Sequence, residues 1–189
     1  PVIGKELRMR SLIALAVAIV AIILYITWTF RQVSHPVSSW KYGITAIIAL
    51  IHDVIIPTGV FAVLGHLTRV EADTLFVTAL LTILGFSVHD TIVVFDRIRE
   101  NLHKLKSTEP YDLTVGRSIN ETIGRSINTS LTVLLVLLAI FFAGGLTTQL
   151  FALTLIIGVL FGTYSSIFVA SPLLTIWERL TREGHSGKQ

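Results

Sequence analysis

Two aspartates stand inside stretches that are otherwise apolar and long enough to cross a membrane. Asp90 lies in GFSVHDTIVVFDR (85–97), and Asp53 lies in HDVIIP (52–57). An ionised carboxylate at the centre of a bilayer costs about 2.5–3.5 kcal/mol on insertion scales, so such residues are usually functional. Three states are open for Asp90: a neutral acid bonded to a neighbouring helix, an acid paired with a cation, or an acid facing a water-filled path.

Arg125 is the cation that the spacing offers to Asp90. At 1.5 Å per residue, Asp90 lies about 9 Å above the end of its span at Asp96, and Arg125 reaches a similar depth if its helix starts near Ile119. Arginine keeps its proton, so it would set the charge state of the acid. The alternative is an arginine that snorkels to the interface. A polar stripe follows it at Asn128, Thr129 and Thr132, which favours a partner helix or a water path over lipid.

Asp53 is predicted to lie near the membrane midplane. It stands about 15 Å from the nearer end of its span. Pro57 lacks the N–H that would bond the carbonyl of Asp53, which predicts a kink and a free acceptor beside the acid. A buried polar contact between helices is the alternative.

Metal-dependent and serine-hydrolase chemistry are not expected. Neighbouring helical residues point about 100° apart, so neither His52-Asp53 nor His89-Asp90 easily chelates one ion. There is no H-E-x-x-H and no serine in a G-x-S-x-G context. The chain has no cysteine, which excludes disulfides. We therefore expect neither an enzyme nor a metal protein.

Composition indicates that these acids belong to a polytopic helical membrane protein. The chain is 52% hydrophobic and 14% charged, whereas soluble domains are about 25% charged. Segments of roughly 20 apolar residues are long enough to span. Five are predicted within a transmembrane domain over 11–177: 11–30, 43–64, 74–95, 127–145 and 150–177.

The basic residues predict the orientation. Five spans divide the 15 lysines and arginines into a poor side (Lys5, Arg8, Arg10, Arg69) and a rich side that holds the rest. The rich side is expected to be cytoplasmic, so 1–10 is an extracytoplasmic lead-in and 178–189 a cytoplasmic tail. We attribute the positive charge of the chain to this topology rather than to nucleic-acid binding. The basic lead-in and the start at Pro1 suggest a C-terminal fragment that lacks an earlier span.

Two further segments are predicted to organise the bundle. The cytoplasmic segment 96–126 should continue the third helix, break near Pro110 with Thr108 as a cap, and lie at the membrane interface before the fourth span. In the last span, small residues recur every four positions at Gly158, Gly162, Ser166 and Ala170. This ladder predicts close approach by a neighbouring helix or a partner subunit, and we expect it to be buried only with a partner.

The chain resembles the SecF family, the smaller membrane subunits of bacterial SecDF protein-export complexes, over 6–178. The resemblance rests on AIIALIHDVIIPTGVF, FVTALLTILGFSVHDTIVVFDRIRENL, SINTSLTVLLVLLAIFFAGG and FALTLIIGVLFGTYSSIFVASPLL. It implies an all-α, five-helix transmembrane bundle of the RND-type SecD/SecF superfamily, here without the first span and the extracytoplasmic domain. The family's membrane acid matches Asp90 and its relay arginine matches Arg125. His89 departs from the usual asparagine.

The resemblance also implies the function. With SecD, the protein would use the proton motive force to promote export across the bacterial cytoplasmic (inner) membrane. Asp90, Arg125, Asp53 and His89 form the predicted proton relay, with no cofactor and with Na⁺ left open as an alternative coupling ion. Implied partners are SecD as a heterodimer, the SecYEG translocon with SecA, YajC and YidC, the exported polypeptide and the bilayer, but no nucleic acid. A passive scaffold for SecD and the translocon, or a small-solute RND-type exporter, are the alternatives.

Overall fold

The computed structural model describes residues 2–31, 37–68, 71–105 and 109–186, and every regular element in these ranges is a helix. Arg69, Lys106, Lys188 and the expected cap Thr108 lie outside them. The helices are α1 (Val2–Thr29), α2 (Ser39–Thr68), α3 (Thr74–Leu105), α4 (Tyr111–Ala143), α5 (Leu146–Ser165) and α6 (Ser171–Ser186). A π-helical turn, Ser166–Ala170, joins α5 to α6 without a break.

Five helical stretches within the described ranges are long and apolar enough to cross a membrane. They are Met9–Thr29, Trp40–Thr68, Thr74–Lys104, Tyr111–Ala143 and Leu146–Thr181. The last joins α5, the π turn and most of α6. The prediction of an all-α, five-helix membrane protein is confirmed.

The segment expected to begin near Pro110 and lead into the fourth span forms a single helix with that span, α4. It runs unbroken through residues 126 and 127, and Pro110 stands immediately before its first residue instead of within the first turn. Its first half packs on the end of α3, where Asn101 Nδ2 donates to Ser118 Oγ at 3.0 Å, and on the start of α2, where the hydroxyls of Tyr42 and Tyr111 meet at 3.3 Å. These tertiary contacts hold α4 against the bundle as one continuous helix.

Two apolar clusters form the core and divide the bundle along its length. One contains Ile26, Phe30, Tyr42, Phe95, Ile98, Tyr111, Val115, Ala170 and Leu174, and the other contains Phe61, Phe76, Leu80, Ile83, Leu137, Leu155 and Val159. Each of α2, α3 and α4, and the stretch from α5 to α6, contributes to both clusters. The residues between the two contributions on each helix are therefore brought to one level in the middle of the bundle.

The small-residue ladder is buried within the chain, so the expectation that it needs a partner is wrong. A Cβ added at Gly158 would lie 2.2 Å from Ile83 Cδ1, and one at Gly162 would lie 3.2 Å from Ser87 Cβ. Both neighbours belong to α3. The absence of side chains at these glycines lets α5 approach α3 closely enough for polar groups on the two helices to meet.

Candidate functional site

Asp90 is enclosed by two serines from two other helical segments. Its side chain is buried, with 7% of the residue exposed. Ser126 Oγ on α4 donates to Asp90 Oδ1 at 2.6 Å, and Ser166 Oγ in the π turn donates to Asp90 Oδ2. One hydroxyl therefore satisfies each carboxyl oxygen, which lowers the cost of burying this polar group.

Asp53 is enclosed in a similar way and is fully buried. Ser165 Oγ donates to Asp53 Oδ2 at 2.6 Å, and Ser87 Oγ on α3 donates to the same oxygen. The other oxygen, Oδ1, lies 2.8 Å from His52 Nδ1 on the preceding residue. Helix α2 runs through Pro57 without interruption.

The two cages are connected through the backbone. Ser165 contacts Asp53 and the next residue, Ser166, contacts Asp90. On α3, Ser87 contacts Asp53 and lies three positions before Asp90, almost one helical turn away. Asp53 on α2 and Asp90 on α3 therefore each contact one of two adjacent serines, Ser165 and Ser166, where α5 passes into the π turn. We call these two residues the shared serines.

Serine is chemically suited to surround a carboxyl group that gains and loses a proton. A hydroxyl carries one donor and two acceptor lone pairs and can rotate. It donates to a carboxylate, and it can accept from the O–H of a protonated acid. A cage of hydroxyls therefore accommodates both protonation states without moving a helix, whereas a cage of N–H donors would favour only the ionised state.

Further hydroxyl contacts extend from this centre between α4 and α5. Ser130 Oγ lies against Thr163 Oγ1, and it also donates to the carbonyl of Ser126 at 2.7 Å. Thr163 lies within one helical turn of Ser165 and Ser166, at the end of α5. The polar layer thus runs across α2, α3, α4 and α5 between the two apolar clusters.

Arg125 is not paired with Asp90. In the part of the chain that the structure describes, the ion pairs include neither of these residues. Arg125 lies on the stretch of α4 that is level with Asp90, but each residue turns the helix by about 100°. Ser126 consequently faces Asp90, while Arg125 is exposed on the surface of the bundle.

The other predicted polar groups near these residues also lie on the outside. Asn128, Thr129 and Thr132 are exposed along the same side of α4 as Arg125. His89 is exposed, in contrast to the buried Asp90 beside it. Of the two histidines that precede an aspartate, His52 is the one that contacts its acid. The relay roles of Arg125, Asp53, His89 and Asp90 remain predictions.

Sequence reasoning missed the four serines that contact the acids. Ser166 was recognised only as a small packing residue, although its hydroxyl contacts Asp90. A usable signal was present on α4, where hydroxyl residues recur every four positions and all are buried: Thr114, Ser118, Thr122, Ser126 and Ser130. Four-residue spacing puts them on one face, which predicts a polar helix contact inside the bundle.

A bundle of apolar helices around two enclosed carboxyl groups defines an integral membrane protein with a polar centre. The model of the family described as protein export membrane protein SecD/SecF, C-terminal, matches residues 1–180. The chain belongs to this family, and the resemblance found in its sequence is confirmed.

Curated relatives agree with this assignment. The chain is 54% identical over 178 residues to the protein translocase subunit SecF of Thermobaculum terrenum, which covers 94% of this chain and 55% of that protein. It is 48% identical to the protein translocase subunit SecF of Anaerolinea thermophila, covering 94% of this chain and 57% of the relative. The chain therefore spans about half the length of these relatives.

A longer relative and a solved structure extend the similarity. The protein translocase subunit SecDF of Thermus thermophilus is 42% identical over the whole chain, which spans 24% of that protein. The crystal structure of SecDF in super-membrane-facing form superposes with a TM-score of 0.85 at 41% identity, covering 98% of this chain and 24% of the other. The bundle described above is thus similar to one quarter of a SecDF chain.

Proposed function

We propose that the chain is the membrane part of a SecF-type translocase subunit that works with SecD and uses the proton motive force to promote protein export. The observation that carries the proposal is the enclosure of Asp90 by Ser126 and Ser166 in the middle of an apolar bundle. Membership of the SecD/SecF family supports the transport role, and the hydroxyl cage supports a carboxyl group that changes its protonation state.

Asp90 is the proton carrier in this proposal. It takes up a proton from one side of the membrane, and releases it toward the other after the bundle has changed its access. One charge moved through 100 mV is worth about 2.3 kcal/mol, which is enough to bias two conformations of a helix bundle. The passive scaffold predicted as an alternative would leave Asp90 with only a structural role.

Arg125, Asp53 and His89 assist Asp90 in this proposal. Arg125 is the neighbour of Ser126, which contacts Asp90, and it carries a fixed positive charge at that level of the bundle. Asp53 is a second protonatable group, linked to Asp90 through the shared serines. The exposed His89, next to Asp90 in the sequence, would exchange protons with the surrounding solvent. The coupling ion is the proton, and Na⁺ is the alternative.

The partners follow from family membership together with the charge pattern. We propose that the chain sits in the bacterial cytoplasmic membrane with its C-terminus in the cytoplasm, bound to SecD and associated with SecYEG, SecA, YajC and YidC. The name of the fused relative, SecDF, supports the pairing with SecD. The excess of basic residues around 97–106 and in the C-terminal tail supports the orientation.

The test of the carrier role is Asp90→Asn in the intact subunit. This change keeps the shape and most hydrogen bonding of the side chain but removes its titration. We expect a normal amount of complex with SecD and a loss of the export that depends on a proton gradient, measured in membrane vesicles with and without an uncoupler. Asp96→Asn is the matched control, because the side chain of Asp96 on the same helix is 64% exposed. Proton-dependent export at the wild-type level by Asp90→Asn would show that Asp90 is only a buried contact.

A further inference from the structure

Ser165 and Ser166 differ from the other two serines in having a second acceptor. Ser165 Oγ lies 3.1 Å from the carbonyl oxygen of Gly162 as well as 2.6 Å from Asp53. Ser166 Oγ lies 3.0 Å from the carbonyl oxygen of Thr163 as well as against Asp90. Each hydroxyl has one proton to share between its two acceptors.

The choice between these acceptors depends on the protonation of the acid. When the carboxyl group is ionised, the hydroxyl donates to it. When the carboxyl group carries a proton, the acid O–H becomes the donor, and the serine can accept it while donating to the carbonyl one turn back. No atom is left without a partner in either state, and the proton remains on the acid throughout the exchange.

Both exchanges act on the same helical turn. The two carbonyl groups belong to adjacent residues, Gly162 and Thr163, and the two hydroxyls belong to adjacent residues at the start of the π turn. Ser171 Oγ donates to the carbonyl oxygen of Ser166 at 2.8 Å, across five residues. π turns interrupt the regular helix and occur often at functional sites, so this turn is a place where hydrogen bonding can change locally.

We propose that Ser165 and Ser166 are positioning residues that couple the protonation of Asp53 to that of Asp90. A proton on one acid turns one hydroxyl toward its carbonyl group, which alters the hydrogen bonds of the turn that also presents the other hydroxyl. Such coupling is reciprocal by thermodynamic necessity. This inference rests on the proposed protonation of the two acids and adds the connection between them.

The ionisable surroundings of the two acids are few in the described ranges. Asp53 contacts His52, which is 30% exposed. No charged side chain of those ranges forms an ion pair with Asp90, and its ionisable neighbours along α3 and α4, His89 and Arg125, are exposed. The serine hydroxyl groups are therefore the route inside the bundle by which the protonation of one acid can affect that of the other.

The test is a pH titration of each acid by infrared spectroscopy, following the C=O stretch of the protonated carboxyl group in the intact subunit with its partner. Asp90→Asn and Asp53→Asn assign the two bands. Ser166→Ala removes a donor to Asp90, and we expect it to move the midpoints of both acids. The direct effect is about half to one pH unit, the size of one hydrogen bond, and the effect on Asp53 is smaller. Ser166→Thr, which keeps the hydroxyl, should restore both midpoints.

Ser126→Ala is the matched control. It removes the other donor to Asp90, but its hydroxyl contacts neither Asp53 nor the shared serines, so the coupling should survive: adding Asp90→Asn should still shift the midpoint of Asp53 in Ser126→Ala, and it should no longer do so in Ser166→Ala. From the other side, adding Asp53→Asn should still shift the midpoint of Asp90 in Ser87→Ala, and it should no longer do so in Ser165→Ala. This second pair decides the question should Ser166→Ala fail to fold.

Two results would overturn the coupling. If Ser166→Ala and Ser165→Ala each move only the acid that they contact, the cages are independent. If neutralising one acid shifts the midpoint of the other by the same amount in all four alanine variants, charge alone links the two acids. Either result can occur while Asp90→Asn still abolishes proton-dependent export, so failure of the coupling is distinguishable from failure of the proposed function.

Discussion

The two carboxylate sites are built from the same parts but have different access to the outside. Asp53 receives two hydroxyl groups and a histidine nitrogen, and it is fully buried. Asp90 receives two hydroxyl groups and is 7% exposed. His52, which leads from Asp53 to the surface, is ionisable itself, whereas His89 points away from Asp90. In the proposed relay, a proton would therefore reach Asp53 through the His52 side chain and reach Asp90 more directly.

The largest expected effect comes from replacing each acid by leucine. Asp53→Leu leaves Ser87 Oγ and His52 Nδ1 without their hydrogen-bond partner, while Ser165 falls back on Gly162. Asp90→Leu leaves only Ser126 without one, because Ser166 falls back on Thr163. At about 1–3 kcal/mol for each buried unpaired group, Asp53→Leu should lower the thermal midpoint of the purified protein more than Asp90→Leu. The reverse order would mean that the cage of Asp90 is the tighter one.

The next effect concerns the helix contact that both sites share. Gly158→Ala places a Cβ 2.2 Å from Ile83 Cδ1, so the Ile83 side chain must repack or α5 must move from α3, at a cost of about 1–3 kcal/mol. We expect a lower thermal midpoint and weaker proton-dependent export, since both shared serines move together. Gly85→Ala on α3 is the control, because nothing lies within 4 Å of its added Cβ. Equal midpoints for the two variants would contradict the close α3–α5 contact.

A smaller effect separates the two histidines. His52→Ala removes the contact with Asp53 and should destabilise the protein by about 1 kcal/mol, the size of one hydrogen bond. His89→Ala removes an exposed side chain without a contact to Asp90 and should stay within about 0.5 kcal/mol of wild type. Denaturation of the two purified variants measures the comparison. A larger loss of stability in His89→Ala than in His52→Ala would mean that His89, and not His52, stabilises the protein through its neighbouring aspartate.

The smallest effect is expected outside both sites, where α3 and α4 meet. Glu121 accepts from Arg97 Nε at 2.5 Å and from Asn101 Nδ2 at 2.8 Å. The Arg97–Glu121 ion pair is partly exposed to solvent. Glu121→Gln should therefore lower the thermal midpoint by only about 2 °C or less, and added salt should reduce the difference between variant and wild type. The carboxyl bands of Asp53 and Asp90 should not change. A shift of either band would show that this contact is coupled to the polar centre.

The sequence alone determined the class of the fold and the identity of the two acids. Runs of about 20 apolar residues have few options other than spanning helices, and an acid inside such a run is costly enough to indicate a site. The spanning helices and the unusual acids can both be recognised from the composition and length of a single segment. The family followed from the motifs around the same residues, and it is confirmed by the comparisons.

Only the tertiary structure decided which side chains meet these acids. The contact of Asp90 with Ser126 instead of Arg125 depends on the rotation of α4 about its axis, where one residue changes the direction by about 100°. The contact of Ser165 and Ser166 with different acids depends on how closely Gly158 and Gly162 let α5 approach α3. Depth along a helix can be counted from its sequence, but rotation and separation are set by the packing of all helices together.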